Sequence, residues 1–323
     1  MSKFINGGKQ PLVLVIVGPT ASGKSALAIK IAKKHNGEII SADSRAIYKY
    51  VDIASAKPTE EEQDGIKHWG IDIVSPEDFS EEYYEENKTP MTTPFTAADF
   101  KKYAEEKIAE IQKKGKLPII VGGTGLYIDA LVYDYSFNGP GEFNNQKPSQ
   151  QDLTVRRKLN QKTVEELQNY CTKNNILING NFYNKRHLIG SIEKSLKSNT
   201  VNNKRKQIGR QFIVVGITTE NEVLNIKIAQ RAKRMISFDI EKEYKKVAKL
   251  YPINSEVLKS NAYIVIKKYQ NGLLDEPEVA NEIIKLDKKL VKKQKTWFKR
   301  NEQIIWVETG SAVSKIDELL RKD

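Results

Sequence analysis

The chain is 323 residues long, 39% hydrophobic, and carries a formal net charge of +12 from 53 Lys and Arg against 41 Asp and Glu. That length allows one large core or two moderate ones, and no apolar run approaches the roughly 20 residues of a helical membrane span, which excludes an integral helical membrane protein. The single cysteine, Cys171, excludes an intramolecular disulfide framework and a zinc ribbon, while the positive charge points to an anionic partner, nucleic acid before a small phosphate, which needs no such field.

Met1 to Gln10 holds neither an apolar leader nor an Arg-rich amphipathic pattern, so a cytoplasmic location is expected. Leu12 to Val17 reads as an apolar strand, followed at once by Gly18-Pro19-Thr20-Ala21-Ser22-Gly23-Lys24-Ser25 and a helix over Ser25 to Lys34. The spacing G-x-x-x-x-G-K-[ST] suits an anion because glycines let the backbone curl until successive N–H groups point inward, and the next helix adds the positive end of its dipole. Lys24 is placed to neutralise the outer phosphoryl oxygens and Ser25 to offer its hydroxyl to Mg²⁺. The pattern leaves open whether the ligand is a nucleotide or another pyrophosphate.

A second strand, Glu38 to Ser41, ends in Ala42-Asp43-Ser44-Arg45, at the strand end where open parallel sheets place their sites. Asp43 suits either a carboxylate for Mg²⁺ in phosphoryl transfer or a general base, and Arg45 and Lys57 are expected to flank it and favour its ionised form. A polar segment, Thr59 to Pro94, follows, with a short apolar piece at Ile71 to Val74 and an acidic loop at Ser80 to Asn87. Thr96 caps a helix with Asp99 in the capping-box position, reaching about Lys114; Leu117 to Val121 is a buried strand that runs into Gly122-Gly123-Thr124-Gly125.

Beyond Tyr133 the character changes. A loop over Asn138 to Ser149 precedes short helical patterns at Leu153 to Asn160, Val164 to Lys173 and Lys185 to Lys197, and Ser198 to Arg210 is polar and basic. Gln211 to Ile217 returns as a strand. Helices are then expected over Glu222 to Ile236, Glu241 to Tyr251, Val257 to Tyr269 and Val279 to Arg300, with a strand at Ile304 to Val307 and a closing helix at Val313 to Leu320. The fold class is therefore α/β: a P-loop parallel-sheet core over residues 1–135 with helices on both faces, a small helical insertion over 136–208, and over 209–323 a return to the core with a basic helical part. Lys285, Lys288, Lys289, Lys292, Lys293, Lys295, Lys299 and Arg300 line the penultimate helix beside Trp297 and Phe298, either a solvated face with two core aromatics or a surface for RNA. His35, His68 and His187 lack metal-ligand spacing.

In one order, Gly18 to Ser25, Ser41-Ala42-Asp43-Ser44-Arg45, Ala56-Lys57-Pro58-Thr59, Ile71-Asp72-Ile73, Gly122-Gly123-Thr124-Gly125-Leu126-Tyr127 and Gln294-Lys295-Thr296-Trp297-Phe298 resemble the bacterial tRNA dimethylallyltransferases, over about residues 12–307. The resemblance implies transfer of a prenyl group from dimethylallyl diphosphate to N6 of the adenine 3′ of the tRNA anticodon, with the loop holding diphosphate rather than ATP. It implies Mg²⁺ at Ser25, Asp43 as base, and diphosphate contacts from Gly18, Thr20, Ala21, Ser22, Gly23 and Lys24, with Arg231 reaching the same group. Asp43, Ser44, Arg45, Thr124, Arg156, Arg186, Lys293 and Trp297 would meet tRNA. A monomer is expected. The chain departs from the family at Ala46, usually Gln, at Ala262 to Val265, and at His68-Trp69, where a paired histidine is usual. A prenyltransferase of free adenine nucleotides uses the same loop and base with less need of an RNA surface; a small-molecule kinase needs a second metal carboxylate or an arginine-rich lid; a non-catalytic RNA-binding descendant has no reason to keep Lys24, Ser25 and Asp43 together.

Overall fold

The computed structural model describes residues 12–79, 95–135, 150–178, 182–196 and 212–322. The loops expected over Ser80 to Asn87 and Asn138 to Ser149 and the basic segment Ser198 to Arg210 lie outside these residues. The chain divides into two compact units, Met1–Phe79 with Thr92–Tyr133 and Gln207–Asp323, and Ser80–Met91 with Asp134–Lys206.

The first unit is built on a six-stranded parallel sheet. Its strands are β1 (Val13–Val17), β2 (Gly37–Ser41), β3 (His68–Trp69), β4 (Leu117–Gly122), β5 (Phe212–Thr218) and β6 (Ile305–Glu308), in the order β3-β2-β4-β1-β5-β6. All five residues of β1 are buried, as a continuous run of Val, Leu and Ile must be when helices cover both faces of a parallel sheet. Val17 is in register with Gly122 of β4 and Gly216 of β5, so the turns that leave these three strands emerge at one sheet end. The chain order reverses beside β1, which makes that end the crevice where such sheets hold ligands.

The helices of this unit are α1 (Lys24–His35), α2 (Glu60–Gln63), α3 (Ala97–Lys113) and α4 (Gly125–Val132), then α8 (Asn221–Ser237), α9 (Ile240–Leu250), α10 (Asn261–Gln270), α11 (Glu276–Phe298) and α12 (Ala312–Lys322); α5 to α7 belong to the second unit. Leu14 and Ile16 of β1 pack with Leu27 and Ile31 of α1 and Ile316 of α12. A second core joins Ile47, Tyr48 and Val51 to Met235, Tyr244, Tyr263, Ile266 and Ile283 of the later helices. At the base of α1, Asp317 of α12 accepts from Lys34 and lies 2.7 Å from His35 Nε2, and these partners hold its carboxyl below the ordinary range although burial acts the other way. Thr96 and Asp99 form the capping box at the start of α3.

Two stretches differ from the reading of the sequence. The polar segment after Thr59 contains α2, whose Thr59 and Glu62 form a capping box, and the two-residue edge strand β3, too short to show a period. The helix expected over Val257 to Tyr269 is two elements, a 3-10 turn at Glu256–Lys259 and α10, divided where the Ser260 hydroxyl accepts from the Tyr263 N–H. Val257 is buried on one side of that break and Tyr263 on the other, so the apolar spacing runs through it. The unusual Ala262 and Val265 are core residues of this same layer.

In the second unit α5 (Gln150–Gln161), α6 (Val164–Lys173) and α7 (Lys185–Leu196) enclose a small core of Leu159, Leu167, Cys171, Leu188, Ile189 and Ile192. Burial pushes the Cys171 thiol up, as befits a packing residue rather than a nucleophile.

Candidate active site

The loop from Gly18 to Gly23 joins the end of β1 to α1 with two left-handed residues, Ala21 at φ 63° and Gly23 at φ 86°. That alternation turns backbone N–H groups toward one concavity, and at Gly23 the left-handed backbone costs a glycine little. Lys24 is half-buried at the helix start and donates to the Pro19 carbonyl at 3.3 Å. Burial lowers its pKa to about 8; the Asp43 carboxylate opposes this, and the Arg231 guanidinium adds to it.

Asp43 follows β2 and lines the same pocket. Its Oδ1 accepts the backbone N–H of Arg45 at 2.8 Å and of Ala46 at 3.4 Å, which fixes the carboxylate, and its Oδ2 makes no hydrogen bond among the described residues. The cations expected to flank it are engaged elsewhere. Arg45 donates to the Glu256 carbonyl and stands 3.7 Å from the Glu256 carboxylate, while Lys57 is held by Asp52 at 2.8 Å, Asp72 at 2.6 Å and the Tyr48 carbonyl at 2.7 Å. Lys24, from the loop itself, lies within electrostatic reach of Asp43.

The pocket encloses about 680 Å³, and its lining collects Thr20, Ala21, Gly23, Lys24, Ser25, Asp43 and Arg231 together with the apolar residues Ala46, Ile53, Pro58, Met235 and Phe238. Arg231, reaching in from α8, donates to the Thr20 hydroxyl and, at 3.3 Å, to the Ala54 carbonyl; its Nε lies 3.8 Å from Asp287 Oδ2. Gly18 and Ser22 are in the loop but do not line the pocket; the buried Ser22 hydroxyl has no partner. The exposed Ser25 hydroxyl makes no hydrogen bond among the described residues, which suits a magnesium ligand.

Several supports are absent from the sequence reading. Gln294 of α11 accepts the Thr20 N–H at 2.9 Å through Oε1 and donates from Nε2 to the Gly123 carbonyl at 3.1 Å, so one amide joins the phosphate loop to the turn after β4. A Cβ at Gly123 would stand 2.5 Å from that Nε2, so the glycine makes the approach possible. Glu243 of α9 accepts the N–H groups of Asp52, Ile53 and Ala54 at 2.8, 2.6 and 2.9 Å and the Tyr263 hydroxyl at 2.7 Å, fixing the segment whose Ala54 carbonyl holds Arg231. In the sequence Gln294 stood out only as the head of Gln294-Lys295-Thr296-Trp297-Phe298; nothing local marks Glu243.

Thr124, Lys293 and Trp297 are not among the residues that line the pocket. Thr124 accepts the Ser44 N–H at 3.0 Å and clasps the ends of β2 and β4. Trp297 donates to Asp129 Oδ2 at 3.0 Å, packs on Gly125 and carries the Arg300 guanidinium 4.1 Å from its ring centre. Lys293 is exposed on α11. Lys288, Lys292, Lys295 and Lys299 line a separate groove of about 490 Å³ floored by Leu224, Ile228 and Val291. In the second unit Arg156 pairs with the buried Glu193 at 3.3 Å, and Arg186 is a residue of α7.

The family model of the IPP transferases matches residues 46–301 and that of the isopentenyl transferases residues 11–72. A tRNA dimethylallyltransferase of Acetivibrio thermocellus is 38% identical over 311 residues, covering 91% of each chain. Among solved structures, the tRNA isopentenylpyrophosphate transferase of Bacillus halodurans superposes with a TM-score of 0.69 at 26% identity, covering 97% of this chain and 96% of that one. The enzyme of Staphylococcus epidermidis gives 0.67 at 29%, covering 97% of this chain and 100% of its own. With its phosphate loop and this agreement over nearly its whole length, the chain belongs to the IPP transferase family.

Proposed function

We infer that the protein transfers a dimethylallyl group from dimethylallyl diphosphate to N6 of the adenine 3′ of the anticodon in tRNA and releases diphosphate. The observation that carries this is one pocket in which a carboxylate with a free oxygen, Asp43, and a half-buried phosphate-loop cation, Lys24, come together with apolar side chains. An adenine amine is a poor nucleophile because its lone pair is delocalised into the ring. It must be held in line with the allylic carbon and relieved of its proton as the N–C bond forms, which is the task of Asp43. The C–O bond breaks in the same event and its electron pair leaves on diphosphate. Lys24, Arg231, the Thr20 hydroxyl and the loop N–H groups receive that charge. Ser25 would hold Mg²⁺, which when bound neutralises part of it. Ile53 and Met235 offer the prenyl chain apolar surface in the same pocket.

For tRNA we assign contacts to Asp43, Ser44 and Arg45 after β2, Thr124 before α4, Lys293 and Trp297 on α11, and Arg156 and Arg186 on the helical insertion. The enzyme acts as a monomer in the cytoplasm; none of its described helices is long and apolar enough to cross a membrane. Incubation with Mg²⁺, labelled dimethylallyl diphosphate and either tRNA or AMP tests the assignment. Label on tRNA supports it, and label on AMP but not tRNA overturns it in favour of nucleotide prenylation.

A further inference from the structure

Helix α8 presents Lys227, Arg231 and Arg234 to the pocket, four and then three residues apart and so on one helix face. Two of the three are committed. Arg231 binds Thr20 and the Ala54 carbonyl with Asp287 as its counter-charge, and Arg234 binds Glu62 at 2.9 Å. Lys227 makes no hydrogen bond or ion pair among the described residues. Its Nζ nevertheless lies 3.8 Å from the point a Cβ on Gly23 would occupy, half-buried above the last turn of the phosphate loop.

The other cations of the pocket each face a carboxylate: Lys24 faces Asp43, Arg231 stands 3.8 Å from Asp287, Lys57 is held by Asp52 and Asp72, and Arg234 by Glu62, so Lys227 is the cation of this lining left without one among the described residues. A half-buried ammonium held without a carboxylate beside inward-turned N–H groups is placed for an anionic ligand. We propose that Lys227 is a catalytic residue that binds the diphosphate at its Gly23 side and stabilises it as it leaves; this rests on the reading of the pocket as a diphosphate site. When the allylic C–O bond breaks, its electron pair goes to the diphosphate oxygen and the N6 proton to Asp43. Lys227 keeps its own protons and supplies a charged hydrogen bond that strengthens as negative charge grows.

The test uses the full chain with Lys227→Met, Lys227→Arg and, as reference, Lys24→Ala. Binding of inorganic pyrophosphate with Mg²⁺, steady-state kinetics in dimethylallyl diphosphate, and tRNA affinity are measured for each. The proposal expects Lys227→Met to weaken pyrophosphate binding about tenfold and lower kcat/KM by about 10 to 100-fold, the worth of a charged hydrogen bond, with kcat falling as well as KM rising. Lys227→Arg should recover most of the loss, and tRNA affinity should stay within about twofold. Wild-type pyrophosphate binding by Lys227→Met, beside a loss in Lys24→Ala, overturns the role of Lys227 and leaves the diphosphate site standing. Loss of tRNA affinity alone in Lys227→Met also overturns it, marking an RNA contact. If Lys24→Ala too binds pyrophosphate normally, the diphosphate reading fails and the proposal fails with it.

Discussion

Two backbone N–H groups hold one oxygen of Asp43, and the base proposed for the reaction is the other. Asp43→Ala should therefore keep diphosphate binding nearly intact and reduce turnover about 10²-fold or more, checked by pyrophosphate titration and single-turnover prenylation; an unchanged rate removes it from the mechanism. Lys24 makes a second prediction because its ammonium titrates at about 8. It is charged below that value and neutral above it, so affinity for a non-hydrolysable diphosphate ester should fall as pH rises through about 8, with proton uptake on binding. Lys24→Arg, always charged, should flatten the profile. Both groups were legible in the sequence, as a motif residue and a strand-end carboxylate. Their surroundings were less so: Arg45 and Lys57 stand near Asp43 in the chain, but Glu256, Asp52 and Asp72 hold them.

Elements announced by local chemistry are readable from the sequence alone. The phosphate loop rests on residues 18 to 25, the start of α3 on Thr96 and Asp99, and β1 on an unbroken apolar run. Elements that depend on distant partners are not. β3 exists because His68 and Trp69 pair with Ile39 and Ile40 of β2, and two residues cannot display a period. Helix α11 is a further case: its capping box and length are within reach of pattern reading, yet its Gln294 side chain reaches Thr20 and Gly123, far back in the chain. Replacing it tests whether α11 supports the loop. Gln294→Ala should raise the KM for dimethylallyl diphosphate roughly tenfold by leaving both the Thr20 N–H and the Gly123 carbonyl unpartnered, and Gln294→Glu should recover only part, since a carboxylate accepts the Thr20 N–H but has no N–H for the Gly123 carbonyl. Equal kinetics for all three proteins would make the bridge incidental.

At the scale of the molecule the net charge of +12 is the plainest signature of a polyanionic substrate. If several lysines and arginines meet phosphates, the logarithm of tRNA affinity should fall linearly with the logarithm of salt concentration, by close to one unit of slope per contact. A flat response would point to a small substrate. The parallel sheet followed from composition and periodicity alone, whereas the strand order, with β1 between β4 and β5, did not, because it depends on pairings such as Leu14 with Ile119 and Val13 with Phe212, far apart in the chain. The Gln294 bridge has a consequence for biosynthesis. Thr20 leaves the ribosome 274 residues ahead of its partner, so a nascent or truncated chain that ends before α11 would carry the whole phosphate-loop motif and still lack the clasp that sets it. The loop reaches its final setting only once α11 has been made.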